Sequence, residues 1–272
     1  MAFTSDVLTI EYDGHVATLW LDRPDKRNAM NLPFWDDIPK AMEELSNDDN
    51  VRAVVIAGRG PAFSVGIDLN LLAQVAGQGT GSDAKRKLAR YEATKRFQWT
   101  MTSIAACPKP VIAAVHGYCL GAGVDLITAC DIRLAAEDAV FSIRETKMAL
   151  VADVGTVQRL PRLIGAGHVA ELLFTGKDIN AARAKEISLL NDVYADQDTT
   201  VEAAQTLAAE IAANSPLVVQ GAKKVLAAEA DMTLEDALDH IALYNSAFIE
   251  SHDIVEAMNA FFEKRPPEFT GE

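Results

Sequence analysis

Two glycine-rich turns and three acidic residues carry the chemistry legible in this chain. The first turn to notice is His116-Gly-Tyr-Cys-Leu-Gly-Ala-Gly-Val-Asp125, where an apolar strand pattern runs into glycines and then into a helical pattern. The first N–H groups of a helix have no partner inside it and lie at the positive end of its dipole. Such a turn can bind an anion or stabilise an oxyanion as it forms. A tight left-handed turn that merely needs glycine has the same appearance, so the turn alone supports both readings. A second site is suggested by Phe63-Ser-Val-Gly-Ile-Asp68, where a glycine again stands between a strand and a short helix. Two such turns could place two N–H groups on one oxygen, each worth about 3–4 kcal/mol of barrier.

The acids follow the second turn. Asp125 falls in the first turn of its helix, Glu145 closes Phe141-Ser-Ile-Arg-Glu145 after a strand end, and Asp153 is flanked by Val151, Ala152 and Val154. Apolar surroundings raise a carboxyl pKa and suit it to proton transfer near neutrality. Each acid also has a plainer reading. Asp125 can simply favour the helix dipole, Asp153 can be an N-cap, and Glu145 beside Arg144 and Lys147 can be a surface acid.

Two competing chemistries fail on the order of their parts. Gly117-x-x-x-Gly121-x-Gly123 has the spacing of a short-chain dehydrogenase cofactor turn, and Tyr91-x-x-x-Lys95 that family's catalytic pair. Here the pair precedes the turn, and no acidic residue ends a second strand at the expected distance. A serine hydrolase would need a G-x-S-x-G elbow, which the sequence lacks.

Elements must position these groups. Val7–Tyr12 and His15–Leu21 alternate about Asp13-Gly14 and predict a hairpin. Leu32–Leu45 has a helical pattern with Asn31 as N-cap, and Val51–Ala57 is a short apolar strand. Asp83–Ala106 is a long amphipathic pattern, Val111–Val115 a buried strand, and Ile132–Ala135 another. From Val154 onward the chain reads as nearly all helix, with breaks at Gly165, Gly176, Ser215 and Met232. Residues 75–82 look the most flexible. The expected architecture is one continuous α/β unit, a core over residues 1–199 with the site and a helical C-terminal region over 200–272.

Composition narrows the class. The chain has 272 residues, 49% hydrophobic and 24% charged, as in ordinary globular proteins. A net charge of −14 argues against nucleic acid and against an anionic membrane surface. Cys107, Cys119 and Cys130 form no C-x-x-C pair and suggest neither a disulfide framework nor a zinc site. No metal or redox cofactor is expected. The start Met-Ala-Phe-Thr-Ser-Asp lacks the pattern of a secretory signal, so a bacterial-type cytoplasm is the expected location.

Taken together, these residues resemble the crotonase family, the enoyl-CoA hydratase/isomerase superfamily. The matching stretches are Arg23-Pro-Asp-Lys-Arg-Asn-Ala-Met-Asn31, Ala62-Phe-Ser-Val-Gly-Ile-Asp-Leu69, Lys109-Pro-Val-Ile-Ala-Ala-Val-His-Gly117, Leu120-Gly-Ala-Gly-Val-Asp125 and Cys130-Asp-Ile-Arg133. Gln158-Arg-Leu-Pro161 and Ala260-Phe-Phe-Glu-Lys-Arg265 match as well. The resemblance implies a spiral of ββα units with a helical C-terminal region, assembled as a homotrimer or a dimer of trimers. It implies oxyanion N–H groups at Ile67 and Ala122, where alanine replaces a more common glycine. It places Arg27, Ala29, Ser64, Val65, Gly66, Asp68, Gly121 and Lys264 at an acyl-CoA site, with Lys26, Arg27, Lys264 and Arg265 as candidates for the CoA phosphates.

Hydratases of the family carry two glutamates at the positions of Asp125 and Glu145, and commonly glycine at that of Asp153. The pattern Asp125, Glu145, Asp153 looks instead like the Δ3,5-Δ2,4-dienoyl-CoA isomerases of fatty acid degradation. That implies Asp153 as the base near the thioester, Glu145 as the acid at the distal carbon, these two roles being exchangeable, and Asp125 as a group that positions or tunes Glu145. An enoyl-CoA hydratase, a Δ3,Δ2-enoyl-CoA isomerase and a non-catalytic acyl-CoA binder are the alternatives.

Overall fold

The computed structural model describes residues 3–77 and 81–272. In chain order the strands and helices begin with β1 (Leu8–Asp13), β2 (Val16–Leu21), α1 (Leu32–Asn47), β3 (Ala53–Gly58), α2 (Leu69–Gly77) and α3 (Asp83–Ala106). The centre of the chain forms β4 (Val111–Val115), β5 (Tyr118–Leu120), α4 (Ala122–Ala129), β6 (Ile132–Ala136) and β7 (Val140–Ser142). Then come α5 (Thr156–Arg159), α6 (Ala166–Thr175), β8 (Ile179–Asn180), α7 (Ala181–Glu186) and β9 (Asp192–Tyr194). Helices α8 (Gln197–Ala212), α9 (Pro216–Glu229), α10 (Leu234–Phe248) and α11 (His252–Glu263) complete it. This is the mixed α/β architecture with a helical C-terminal region that the sequence predicts.

Six strands form the main sheet in the order β1-β2-β3-β4-β6-β9. The β1–β2 hairpin is antiparallel and every later neighbour is parallel. Asp13 pairs with Val16, so the tight turn is Gly14-His15, one residue later than expected, with Gly14 at φ +53°. The parallel strands are covered on both faces, which is why β3 and β4 read as unbroken apolar runs. Val54 and Ile56 of β3 join the large core with Phe34, Trp35 and Ile38 of α1. The alternate residues Ala53, Val55 and Ala57 face Ala204, Ala208 and Ala212 of α8. Small residues four apart let α8 lie close on the sheet, and each buried Val or Ile contributes roughly 1.5–3 kcal/mol. Helix α8 straddles residue 200 and belongs to the sheet by its packing.

A second sheet of three short strands, β5-β7-β8, stands beside the first. Its strands are two or three residues long, too short to show a period, and two of the chain's strands, β8 and β9, interrupt the region expected to be all helix. The flexible stretch expected over 75–82 lies partly outside the described residues. No described helix is long and apolar enough to cross a membrane.

Candidate active site

The two glycine turns are stitched together by main-chain hydrogen bonds. Phe63 N donates to His116 O at 2.9 Å, Ser64 N to Tyr118 O at 2.9 Å, and Leu120 N to Ser64 O at 3.0 Å. On the other side Met30 N donates to Gly66 O at 2.8 Å and Asp68 N to Met30 O at 3.0 Å. The turns touch at Gly66, whose φ is +84°. A β-carbon there would lie 2.7 Å from Leu120 O and 3.2 Å from Ala122 N, so only glycine permits the approach. Ala122 is the first residue of α4, and its N–H has no acceptor within that helix. Among the described residues, neither the Ile67 nor the Ala122 N–H donates a main-chain hydrogen bond. Both residues line one cavity of about 380 Å³.

Val65, Gly66, Gly121, Glu145 and Asp153 line the same cavity. Its apolar wall includes Trp35 of α1 and Phe97 of α3, whose ring centroids are 4.7 Å apart, with Leu72 and Val75 of α2. The other expected residues support the cavity or lie elsewhere. Ser64 is fully buried; its hydroxyl donates to Asn28 O at 2.8 Å and accepts from Gly66 N at 3.1 Å, so it holds the first turn in shape. Asp68 is occupied by Arg23 at 3.3 Å and by the N–H of Asn70 at 2.9 Å. Burial pushes its carboxyl up, but these partners outweigh burial and hold it below the ordinary value. Arg27 is exposed and left-handed at φ +50°, and its carbonyl accepts from Val65 N at 3.1 Å. Ala29 contributes its carbonyl to the Arg23 guanidinium. Lys264 ends α11, exposed, and does not line the cavity of its own chain.

Asp125 sits beneath the cavity with no exposed surface. Its Oδ1 accepts from Thr156 N at 2.5 Å, so the carboxylate caps α5, a helix thirty-one residues away, besides lying in the first turn of its own. Its Oδ2 is buried and has no hydrogen-bond partner among the described residues. Burial raises the Asp125 carboxyl to about 6, against the pull of Thr156 and the Arg159 guanidinium.

Glu145 lies in a short 3-10 helix, Arg144–Met148. It is not the solvated surface acid its basic neighbours suggested. Arg144 turns away to Asp178 at 2.8 Å, and Glu145 Oε2 is buried without a partner. Its other oxygen packs on the second turn: a β-carbon on Gly121, at φ +53°, would stand 3.2 Å from Glu145 Oε1. Burial, reinforced by the negative charge of Asp125, raises Glu145 to about 7.

Asp153 is not an N-cap. Helix α5 begins three residues later, and Gly155 precedes it without a side-chain cap. Asp153 stands in the cavity wall between buried Ala152 and Val154, exposed on its outer side. Burial of its inner side raises its carboxyl above the ordinary value. Its carbonyl accepts from the Gln98 side chain of α3 at 2.8 Å. The arrangement is therefore two unpaired N–H groups at one end of an apolar cavity and two carboxyls with raised pKa on its walls. It can stabilise an oxyanion and move protons beside it.

Sequence reading missed Asn28. Fully buried at φ +53°, it accepts from Arg23 N and donates to Arg59 O and Ala62 O, tying the loop after the hairpin to the loop before the first turn. A polar residue between two loops has no periodic signal. Among the described residues no cluster of three or more His, Cys, Asp or Glu is arranged to hold a metal ion.

The chain is similar to known proteins along nearly its whole length. Residues 11–272 match the enoyl-CoA hydratase/isomerase family. The mitochondrial Δ3,5-Δ2,4-dienoyl-CoA isomerase of Dictyostelium discoideum is 43% identical over 93% of this chain and 87% of its own. The peroxisomal Δ3,5-Δ2,4-dienoyl-CoA isomerase of Arabidopsis thaliana is 40% identical over 98% of this chain and 96% of its own. Among solved structures, the enoyl-CoA hydratase from Bacillus anthracis superposes with a TM-score of 0.90 at 33% identity, covering 98% of this chain and all of that one.

Proposed function

The chain belongs to the enoyl-CoA hydratase/isomerase family, and from that premise we propose that it is a Δ3,5-Δ2,4-dienoyl-CoA isomerase acting in fatty acid degradation. The observation that carries this reading is Asp153, a second acid on the cavity wall beside Glu145, with Asp125 buried beneath them. Moving two conjugated double bonds takes a proton from the carbon beside the thioester and returns one to the far end of the diene. A base and an acid must then stand several ångströms apart along one cavity. The intervening dienolate carries its charge on the thioester oxygen, where the N–H groups of Ile67 and Ala122 would receive it.

Geometry is weighed ahead of pKa in assigning the roles. Glu145 packs on the Gly121–Ala122 turn, which supports a role at the thioester end. Asp153, tied through its carbonyl to α3, stands along the wall that α3 and α2 complete. We therefore assign proton removal to Glu145 and delivery at the distal carbon to Asp153, the exchanged form of the roles implied by the resemblance. The carbon–hydrogen bond beside the thioester breaks, its proton passes to Glu145, and the proton of Asp153 forms the new distal bond. The two carboxyls titrate as a unit that must hold a single proton, so the rate falls on either side of that interval, with its alkaline limb near 7, where the pair loses its last proton. No change of oxidation state occurs, so the proposed reaction asks for no cofactor beyond the CoA of its substrate.

Deuterium exchange tests the assignment. Asp153→Asn and Glu145→Gln are each expected to slow isomerisation by about 10²–10⁴-fold, the usual worth of a general acid or base. Asp153→Asn is expected still to exchange the hydrogen beside the thioester with deuterated water, whereas Glu145→Gln is not. The opposite pattern would return the roles to the other order, and an undiminished rate in Asp153→Asn would end the isomerase reading.

The proposal includes assembly as a homotrimer or dimer of trimers. Leu226, Leu234, Leu243, Phe261 and Phe262 on α9, α10 and α11 are each more than 70% exposed in the single chain, which suits a subunit interface. In such an assembly Lys264 becomes a candidate for a neighbouring subunit's CoA phosphates. A cytoplasmic location stays part of the reading, supported by three free, buried cysteines.

A further inference from the structure

The loop carrying Asp153 is held at four successive residues. Gln98 donates to Asp153 O at 2.8 Å. Arg159 Nη1 donates to Val154 O at 3.4 Å. Gly155 stands at φ +139°, and a β-carbon on it would fall 1.8 Å from Arg159 Nη1, so the guanidinium fills the space of the side chain that Gly155 lacks. Thr156 N donates to Asp125 Oδ1 at 2.5 Å. The guanidinium is itself anchored on α3, where Nη2 donates to Thr102 Oγ1 at 3.0 Å. Gln98 and Thr102 are four residues apart and so share one face of α3.

We propose that Arg159 is a positioning residue that clamps the Asp153 loop onto α3 and thereby fixes Asp153 relative to Asp125 and Glu145. The inference rests on the isomerase reading for its kinetic consequence only. Each contact is made to main chain or to a hydroxyl, so the guanidinium's planar fork has more than one partner that an ammonium group cannot reach together. It also supplies the cation opposing the burial of Asp125. The groups facing Asp125 are Thr156 and Arg159 of α5, Asp153 of the loop, and Cys119 of β5, while Glu145 of the 3-10 helix feels its charge. With Arg159 gone, Asp125 holds its proton more tightly, and Glu145 loses the negative charge that pushes it up.

The test is the pair Arg159→Met and Arg159→Lys with steady-state kinetics over pH. Arg159→Met is expected to lower kcat by about 10–100-fold with little change in KM, as for a misplaced catalytic group. Its alkaline limb is expected to move to lower pH. Arg159→Lys is expected to restore the limb but not the full kcat. A wild-type kcat in Arg159→Met, or a loss with the limb unmoved, would overturn the proposal. Should Arg159→Met fail to fold, Thr102→Val removes only the α3 anchor and is expected to lower kcat with KM unchanged; an unchanged kcat there would overturn it as well. Isomerisation by the unaltered protein is measured beside them, so its absence would count against the isomerase reading alone. The clamp is then read from the carboxyl ¹³C titration of Asp125, which is expected to move to higher pH in Arg159→Met and, if unmoved, would overturn the clamp.

Discussion

At the residue scale, the three acids differ in what their surroundings do to a proton. Burial lifts Glu145 from an ordinary 4.5 to about 7. It lifts Asp125 from 3.8 to about 6. In the unfolded chain both release their protons at lower pH, so between the two values the folded form binds protons that the unfolded form does not. Their stabilising contribution is complete below the unfolded pKa and is lost as pH rises through the folded one. Glu145→Gln is therefore expected to gain stability relative to the unaltered protein between about pH 5 and pH 8, by on the order of 1–3 kcal/mol. Denaturant midpoints at the two pH values check this, and an equal difference at both would contradict the burial argument. The apolar neighbours of Asp153 were legible in the chain because they are adjacent in sequence. The partner of Asp125 was not, since Thr156 is brought to it only by the fold. For the same reason the capping role read for Asp153 falls to Asp125.

Elements were legible where local rules act alone. The long parallel strands show unbroken apolar runs, α1 and α3 carry Asn31 and Ser82 as side-chain N-caps, and β4 spans Val111–Val115 as predicted. The second sheet was not, because β5 is hidden among the glycines of the second turn and β8 has two residues. The two glycine turns depend on more than glycine. Their spacing is held by the ladder between residues 63–64 and 116–120 and, behind it, by Asn28. Asn28→Ala removes three hydrogen bonds, one buried and two part-buried, at a left-handed position and is expected to cost about 2–4 kcal/mol. Urea unfolding measures it, and a loss below about 1 kcal/mol, the worth of a single such bond, would show that the two loops hold together without this residue.

At the scale of the whole molecule, the sheet, two glycine turns and a helical layer bring together residues from Trp35 to Val154 around one cavity. The turns make enolate chemistry possible, and that much the family shares. What separates the reactions on such a frame is the set of acids along the cavity wall. On the proposed assignment, with Glu145 at the thioester end and Asp153 further along, a proton leaves one carbon and arrives at another without water taking part. The most direct measurement offers the protein 3,5-dienoyl-CoA and 2-enoyl-CoA separately and follows the ultraviolet absorbance of each. The expected result is growth of the conjugated 2,4-dienoyl thioester band from the first substrate, with no water added to the product. Silence with the dienoyl substrate, or hydration of the enoyl substrate alone, would contradict it.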